Sequence, residues 1–213
     1  MAAIITGVYN DGMAKIDPQY ILLQQMVIDL SLINRNHYLA KTDRRGNDIE
    51  HSMTVVLLCW YLYEKLQPDL DLAKILKYAV CHDFVEQYAG DVSTFASTAD
   101  RAAKVKNEAA ALSRIKKEHS GFPDLAETIA RYELRADEES KFVWTVDKMQ
   151  ALIMGDMDNW RPYAEIGITY NMFINKFEDL SKNASQCGKD IFRELIEYSY
   201  STYYDQPQKI AML

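Results

Sequence analysis

The stretch that decides the fold is residues 77–91, KYAVCHDFVEQYAGD, which places a histidine and an aspartate side by side at the end of an apolar helical segment. Imidazole and carboxylate groups are both ligands of first-row transition metals. On a helix, Glu86 would share a face with His82 and Asp83, which precede it by one turn. Because adjacent helical positions point about 100° apart, His82 and Asp83 reach one ion only if other segments wrap around it. The stretch therefore predicts a metal site that other helices complete.

The composition favours one folded domain over residues 1–213, since 48% of the residues are hydrophobic. A formal net charge of −7 argues against a nucleic-acid binder or a binder of anionic membranes. No apolar run approaches the roughly 18 residues that mark a spanning helix, and the first residues do not resemble a signal peptide. Cys59 and Cys81 lie in apolar runs and no CxxC pair occurs, which indicates buried thiols in a reducing compartment. We expect a soluble cytoplasmic protein.

An all-α fold is predicted, because only 8 Gly and 5 Pro punctuate the chain and no segment alternates convincingly with period two. Asp17, Asp48, Asp100 and Asp137 are expected to cap helices. The helix after Asp48 is apolar on most faces, so we expect it to be the central buried helix. Loops are expected at 35–48 and 92–100, and helices at 17–33, 48–66, 70–89 with a break near the motif, 100–118, 124–134, 138–154, 163–180 and 188–204.

Two further residues interrupt the apolar pattern and could complete the site. His51 lies in the first turn of a nearly all-apolar helix, and Asp147 interrupts the apolar stripe of another. A buried aspartate must be paired or bound to a metal, because a lone buried charge is very costly. Together with His82 and Asp83, these residues on three helices could close around one divalent ion inside a bundle.

Each of these residues also has a purely structural interpretation. Asp147 could pair with Lys148, Lys141 or an arginine, and His82 could be a hydrogen-bonded core histidine. The two remaining histidines, His37 in a loop and His119 at the end of a charged helix, are expected to be solvated surface residues.

The order of these residues resembles that of the HD-domain metal-dependent phosphohydrolases, whose signature is a histidine, a distant His-Asp pair and a distant aspartate on helices. The pattern is most similar to the 5′-deoxynucleotidase branch, whose motif H-D-x-x-E-x-x-x-G-D is met at every fixed position of 82–91. The resemblance covers about residues 20–155, leaving 156–213 as additional C-terminal helices. The matching stretches are EHS at 50–52, HDFVEQYAGD at 82–91, EAA at 108–110 and ESKFVWTVDKMQALI at 139–153.

This resemblance implies an HD-domain helical bundle with its metal site in the bundle interior. It assigns one divalent transition-metal cation (Mn, Co, Zn, Fe or Ni) to the ligands His51, His82, Asp83 and Asp147. Mixed nitrogen and oxygen ligation suits these metals better than Mg or Ca.

The resemblance also implies two catalytic carboxylates. Glu86 would orient or deprotonate the attacking water, although an exposed helix residue is the structural alternative. Asp91 would act as a second acid near the scissile P–O bond or the sugar, and its alternative is an ordinary turn or N-cap aspartate after Gly90.

The resemblance also implies basic residues that contact phosphate, but several residues match each position. Arg35 precedes His51 where the family places a phosphate- or sugar-contacting arginine, but Arg44 and Arg45 compete for that role. Lys104 and Lys106 match a phosphate-contacting lysine only loosely, and a solvated helix face is their alternative. The loop 92–100 lacks the PTP- or PxD-like sequence of relatives.

The implied function is a 5′-deoxynucleotidase that hydrolyses deoxynucleoside 5′-monophosphates to nucleoside and phosphate. The alternatives are a deoxynucleoside triphosphate triphosphohydrolase on the same scaffold, and a non-catalytic nucleotide-binding sensor. The expected partner is a small nucleotide, with no nucleic acid and no membrane. Members of this branch are commonly dimeric, so the resemblance also implies a homodimer.

Overall fold

The structure is a computed structural model that describes residues 16–40, 42–91, 94–95 and 98–204. Within this part of the chain, helices dominate and the only sheet is one two-stranded hairpin. The elements in chain order are α1 (Pro18–Ser31), β1 (Asn34–Tyr38), β2 (Arg45–Asn47), α2 (Asp48–Leu66), α3 (Leu72–Cys81), α4 (Glu86–Ala89), α5 (Thr98–Glu118), α6 (Pro123–Glu133), α7 (Glu138–Met157), α8 (Arg161–Glu165), α9 (Tyr170–Ser181) and α10 (Lys189–Tyr204). The all-α prediction is confirmed.

Side-chain caps fix where five of the described helices begin, and three of these caps bear on the sequence predictions. The Asp17 carboxylate accepts from the backbone N–H of Gln19, and the Asp137 carboxylate accepts from that of Ser140, as the sequence predicted. The cap of α2 is Asn47 rather than the predicted Asp48. Asn47 forms a capping box with Glu50, and this leaves Asp48 free for another partner.

The segment predicted as a loop over 35–48 is a hairpin in which β1 and β2 pair antiparallel. The alternation expected of a strand was not visible in the sequence, because the side chains of NRNHY are polar on both faces. The hairpin packs against α7 and α8. Its position brings the start of β1 to the same end of the bundle as the first turn of α2.

The predicted break near the His-Asp motif is confirmed, since α3 ends at Cys81 and α4 begins at Glu86. Glu86 therefore reaches the motif across a turn and not along one helix face. After α4 the backbone turns at Gly90, whose φ of +76° is readily available only to glycine. The backbone N–H of Gly90 donates to the carbonyl of Glu86 at 2.8 Å, and this closes the turn before Asp91.

The motif lies between two clusters of buried apolar side chains. Tyr78 and Ala79 pack into the larger cluster, which α2, α3, α7, α9 and α10 build. Cys81, Phe84 and Val85 pack into the smaller one, which includes residues of α1, α5 and α6. The turn that carries His82 and Asp83 is thus held from both sides by the core.

The sequence predicted α2 as the central buried helix, and the structure shows it packed on its neighbours but buried on one face only. One face packs on α3 and α7, and the opposite face is exposed, with four large apolar residues on it: Met53, Leu57, Trp60 and Tyr61. Local composition showed that this helix was apolar, but it could not show how many neighbours the helix has. Cys59 and Cys81 are buried free thiols, as predicted.

Two smaller expectations also needed correction. His119 is not a solvated surface residue but is only 2% exposed, and its Nδ1 lies 2.7 Å from the Gln19 amide. The helix expected to start at Asp100 begins two residues earlier, at Thr98. In the part of the chain that the structure describes, no helix is both long and apolar enough to cross a lipid bilayer.

Candidate functional site

A cavity of about 100 Å³ opens at the end of the bundle where the hairpin, α2, the motif turn and α7 meet. Its walls bring together residues that lie far apart in the sequence. The predicted site residues that line it are Arg35, His51, Asp83, Glu86, Asp91, Lys104 and Asp147. His82 lies behind Asp83 and is 2% exposed.

Three atoms that could bind a metal ion converge at the base of this cavity. His51 Nε2 lies 3.1 Å from His82 Nε2. Asp83 Oδ2 lies 3.3 Å from the first nitrogen and 3.2 Å from the second. Such separations between ligand atoms are suited to a metal–ligand bond of about 2.0–2.2 Å to each of them.

The hydrogen bonds of the outer ring nitrogens determine which atoms of the two histidines can bind a metal. His82 Nδ1 lies 2.9 Å from the carbonyl oxygen of Ala79, and His51 Nδ1 lies 3.0 Å from Gln150 Oε1. Both partners are acceptors, so each Nδ1 carries the proton and each Nε2 presents a lone pair. Two lone pairs that face each other at 3.1 Å repel each other unless a proton or a metal ion lies between them. The donor set therefore fits a transition-metal ion.

Asp147 of α7 borders this set through His51, although the three residues whose ligand atoms all lie within 4.8 Å of one another are His51, His82 and Asp83. Its Oδ1 lies 3.2 Å from His51 Nε2, and its Oδ2 accepts from Lys148 at 2.7 Å. The metal-ligand interpretation and the ion-pair interpretation of Asp147 thus apply to different oxygens of one carboxylate. Burial alone would raise the pKa of Asp147, but Lys148 and His51 hold that pKa well below its usual range.

Arg35 enters the cavity from β1 and lies against three carboxylates. Its Nη1 is 2.6 Å from Asp83, 3.1 Å from Asp48 and 3.5 Å from Glu86. Burial would raise the pKa of Asp83, but His82 and Arg35 hold it well below its usual range. Burial raises the pKa of Asp48 to about 6, although Arg35 opposes the shift.

Glu86 is buried, with 4% of its surface exposed, and so is not an ordinary exposed helix residue. Burial, and next the charge of Asp83, raise the pKa of Glu86 well above its usual range, while Arg35 opposes the shift. A carboxylate with a raised pKa is a stronger base than a solvated one.

The comparison with known families decides the family to which this site belongs. A family model described as an HD domain matches residues 29–187, which is most of the chain. The chain belongs to the HD-domain family. The match extends beyond residue 155, so it includes α8 and α9, which the sequence resemblance had left outside.

Solved structures share this HD-domain fold at low sequence identity. A predicted metal-dependent phosphohydrolase from Magnetospirillum magnetotacticum aligns with a TM-score of 0.71 at 20% identity, covering 88% of this chain and 98% of that one. A conserved hypothetical protein from Pyrococcus furiosus gives 0.60 at 23% identity, covering 85% and 99%. A protein from Pyrococcus horikoshii gives 0.61 at 22% identity, covering 83% and 98%. No curated protein matches the chain.

The predicted phosphate contacts are placed unequally around the HD-domain site. Lys104 lines the cavity, with its Nζ 3.4 Å from Glu108 on the next turn of α5. Lys106 is exposed on the same helix and is not among the lining residues. Among the three arginines considered, Arg44 pairs with Glu50 and Arg45 with Glu165, and only Arg35 lines the cavity.

His37 also lines the cavity, which corrects its prediction as a solvated loop residue. The hairpin holds it there, since a Cβ atom placed on Gly46 of β2 would lie 2.6 Å from His37 Nε2. Burial, and next the charge of Arg35, lower the pKa of His37 to about 4. The ring is therefore neutral at physiological pH.

One side of the HD-domain cavity is apolar and aromatic. It is lined by five residues that sequence reasoning did not assign to the site: Phe95, Ala151, Met154, Tyr163 and Phe177. Phe95 and Tyr163 meet edge to face, with ring centroids 5.7 Å apart, and Tyr163 packs in turn on Phe173. This wall comes mainly from α7, α8 and α9.

Two polar residues that hold site residues in place, Asp48 and Gln150, were also missed. Asp48 was interpreted as a helix cap, although a second cap donor, Asn47, stands directly before it in the sequence. Gln150 follows Asp147 by three residues, so the spacing along a helix could have placed both on the face that meets His51.

Proposed function

We propose that this HD-domain protein is a metal-dependent phosphomonoesterase that hydrolyses deoxynucleoside 5′-monophosphates to nucleoside and phosphate. The observation that carries the proposal is the composition of one cavity. Candidate metal ligands, two partly buried cations and an aromatic wall line the same small space. The similarity to the predicted metal-dependent phosphohydrolase from Magnetospirillum supports the hydrolase class.

The proposed chemistry divides between the two sides of the cavity. When bound to His51, His82, Asp83 and Asp147, a divalent ion would polarise the phosphoryl group and acidify a water molecule. Arg35 and Lys104 would neutralise phosphate oxygens. Glu86, buried and basic, would accept the proton of the attacking water at its carboxylate.

Asp91 would protonate the leaving oxygen of the sugar, since it follows the Gly90 turn and lines the same cavity. This role requires Asp91 to be protonated when the P–O bond breaks. Asp91 and Glu86 would thus divide the acid and base roles.

The aromatic wall supports a nucleoside over a simple phosphate ester. Phe95 and Tyr163 line the cavity, and aromatic contacts with stacked bases contribute about 1–3 kcal/mol in other proteins. The wall comes partly from helices that follow residue 156, outside the span of the resemblance.

A monophosphate is favoured over a triphosphate by the placement of the cations. Arg44, Arg45 and Lys106, which a longer phosphate tail would need, do not line the cavity. A triphosphohydrolase would release triphosphate from dATP, whereas the proposed enzyme releases orthophosphate from dAMP.

The test is phosphate release from dAMP, AMP, dATP and glycerol phosphate, each measured with Mn, Co, Zn, Fe and Ni. We expect dAMP to exceed AMP by at least about tenfold in kcat/KM, because a buried 2′-hydroxyl without a partner costs about 1–3 kcal/mol. Equal values for dAMP and AMP would reject the deoxynucleotidase assignment. Stoichiometric metal with no turnover on any nucleotide would instead support the non-catalytic sensor.

The homodimer and the cytoplasmic location stay predictions. Light scattering on the purified protein measures the first, by comparing the molar mass in solution with the 24.6 kDa of one chain.

A further inference from the structure

Asp48 is a buried acid at the edge of the site that the proposed chemistry does not use. Only 1% of it is exposed, at the first position of α2. Its Oδ1 accepts from Arg35 Nη1 at 3.1 Å, while its Oδ2 is buried with no hydrogen-bond partner among the described residues. Burying a carboxylate has a large free-energy cost. For stability alone, a neutral side chain would therefore be favoured over an aspartate at this buried position.

In the part of the chain that the structure describes, Arg35 donates its side-chain hydrogen bonds through one nitrogen, Nη1. Nη1 donates to Asp48 and Asp83 and lies 3.5 Å from Glu86. A guanidinium group presents its donors as a rigid planar fork, which binds two oxygens of a phosphate side by side. Anchoring one nitrogen therefore leaves the other donors to an anion in the cavity.

Of the three carboxylates that contact Arg35, only Asp48 has no role in the proposed chemistry. Asp83 belongs to the metal donor set and Glu86 is the proposed base, so both are engaged elsewhere during turnover. Asp48 also lies one helical turn before His51 on α2, which puts both side chains on one face of a rigid element. The helix thus fixes the anchor of Arg35 relative to the metal donors.

We propose that Asp48 is a positioning residue that anchors Arg35 through Nη1, so that the guanidinium presents its remaining donors to the phosphate group. The proposal rests on the proposed function only in that the ligand carries a phosphate. A competing interpretation is a second cation site, because oxygens of Asp48, Asp83 and Glu86 lie within 4.8 Å of one another. The position of Nη1 against all three carboxylates favours the arginine.

The experiment measures the affinity of the metal-loaded protein for inorganic phosphate by isothermal titration calorimetry. The variants are Asp48→Asn, Arg35→Gln and the double variant. The control is Glu50→Gln, which removes an acid of the same helical turn that pairs with Arg44 instead. Elemental analysis gives the metal content of each protein.

We expect Asp48→Asn to weaken phosphate binding by about 10- to 150-fold, the range for a charge-assisted hydrogen bond. In the Arg35→Gln background the same change should add no more than about twofold, since Asp48 acts through Arg35. The control should stay within about twofold of wild type, with metal content unchanged throughout. Additive effects of the two substitutions would overturn the proposal, as would loss of metal from Asp48→Asn.

A second variant keeps the test decisive if Asp48→Asn does not fold. Arg35→Lys retains the charge but has a single nitrogen, which the three carboxylates would occupy. It should lose as much phosphate affinity as Arg35→Gln, and wild-type affinity in Arg35→Lys would contradict the proposal. Failure of the wild-type protein to bind phosphate would also overturn it. Phosphate binding without turnover of dAMP would reject only the proposed function.

Discussion

Replacing Glu86 with glutamine tests the assignment of the base with little disturbance of the fold. Glutamine preserves the volume of the side chain and removes its negative charge. Glu86 Oε2 has no hydrogen bond among the described residues, and its contact with Arg35, at 3.5 Å, is the longest of the three that Arg35 makes. The substitution therefore breaks no strong contact seen in the structure.

The expected effect on turnover is large. General-base catalysis is typically worth about 10²–10⁴-fold, or about 2.7–5.4 kcal/mol at 1.36 kcal/mol per decade. We expect kcat for dAMP to fall by that factor, while KM and metal content stay near their wild-type values because no ligand is removed.

The same substitution is expected to raise the stability of the metal-free protein, although it lowers kcat. The pKa of Glu86 is raised in the folded state above its ordinary value of 4.5, first by burial. Its contribution to stability is therefore present below about pH 4.5 and is lost as the pH rises. The metal-free Glu86→Gln protein should be more stable than the metal-free wild type at pH 7, by about 1 kcal/mol, the low end of the cost of an unsatisfied buried group. The difference should shrink towards pH 4.5.

Two measurements check this reasoning, with the exposed Glu127→Gln substitution as the matched control. Steady-state kinetics on the metal-loaded protein gives kcat, and urea unfolding of the metal-free protein at several pH values gives the stability. A kcat within about threefold of wild type, far below the range above, would refute Glu86 as the base. A stability difference that grows towards low pH would refute the electrostatic argument.

Three further outcomes are expected. Replacing His82 or Asp83 with alanine should remove most bound metal and nearly all activity with helix content retained; full metal occupancy by elemental analysis would contradict the ligand assignment. Asp91→Asn should slow dAMP and AMP hydrolysis alike, because its proposed place is the phosphate end, whereas a loss confined to dAMP in the kinetics would move it to the sugar. Phe142→Ala, at a position with 0% exposure in the core, should lower the unfolding free energy by about 3–5 kcal/mol in urea titrations, and a loss below about 1 kcal/mol would show that the site collapses without a cavity.

The residues at the base of the cavity could be predicted because their signal is local. Asp147 interrupts an apolar helical stripe, and a charge in such a position must have a partner within the fold. The caps at Asp17 and Asp137 were predictable for a similar reason, since a cap depends on a few neighbouring residues.

The rest of the site depends on packing between distant segments and could not be read locally. Asn47 and Asp48 are equally good caps by composition, and the position of Arg35 on β1 is what gives Asp48 its other role. His37 is brought to the cavity by a hairpin whose strands have polar side chains on both faces. The exposed face of α2 likewise reflects the number of neighbouring helices, which its own sequence does not encode.

The hydrogen bond between His51 and Gln150 joins positions 99 residues apart, and this bears on how the protein matures. Only His82 and Asp83 are neighbours in the chain, so a nascent polypeptide offers an ion half of the donor set at most. Closing the loop between His51 and Gln150 lowers the conformational entropy of the chain. The burial of the apolar faces of α2, α3 and α7 offsets this loss when the three helices dock. We therefore expect the full donor set, with Asp147 included, to form only after α7 is synthesised and docked on α2 and α3.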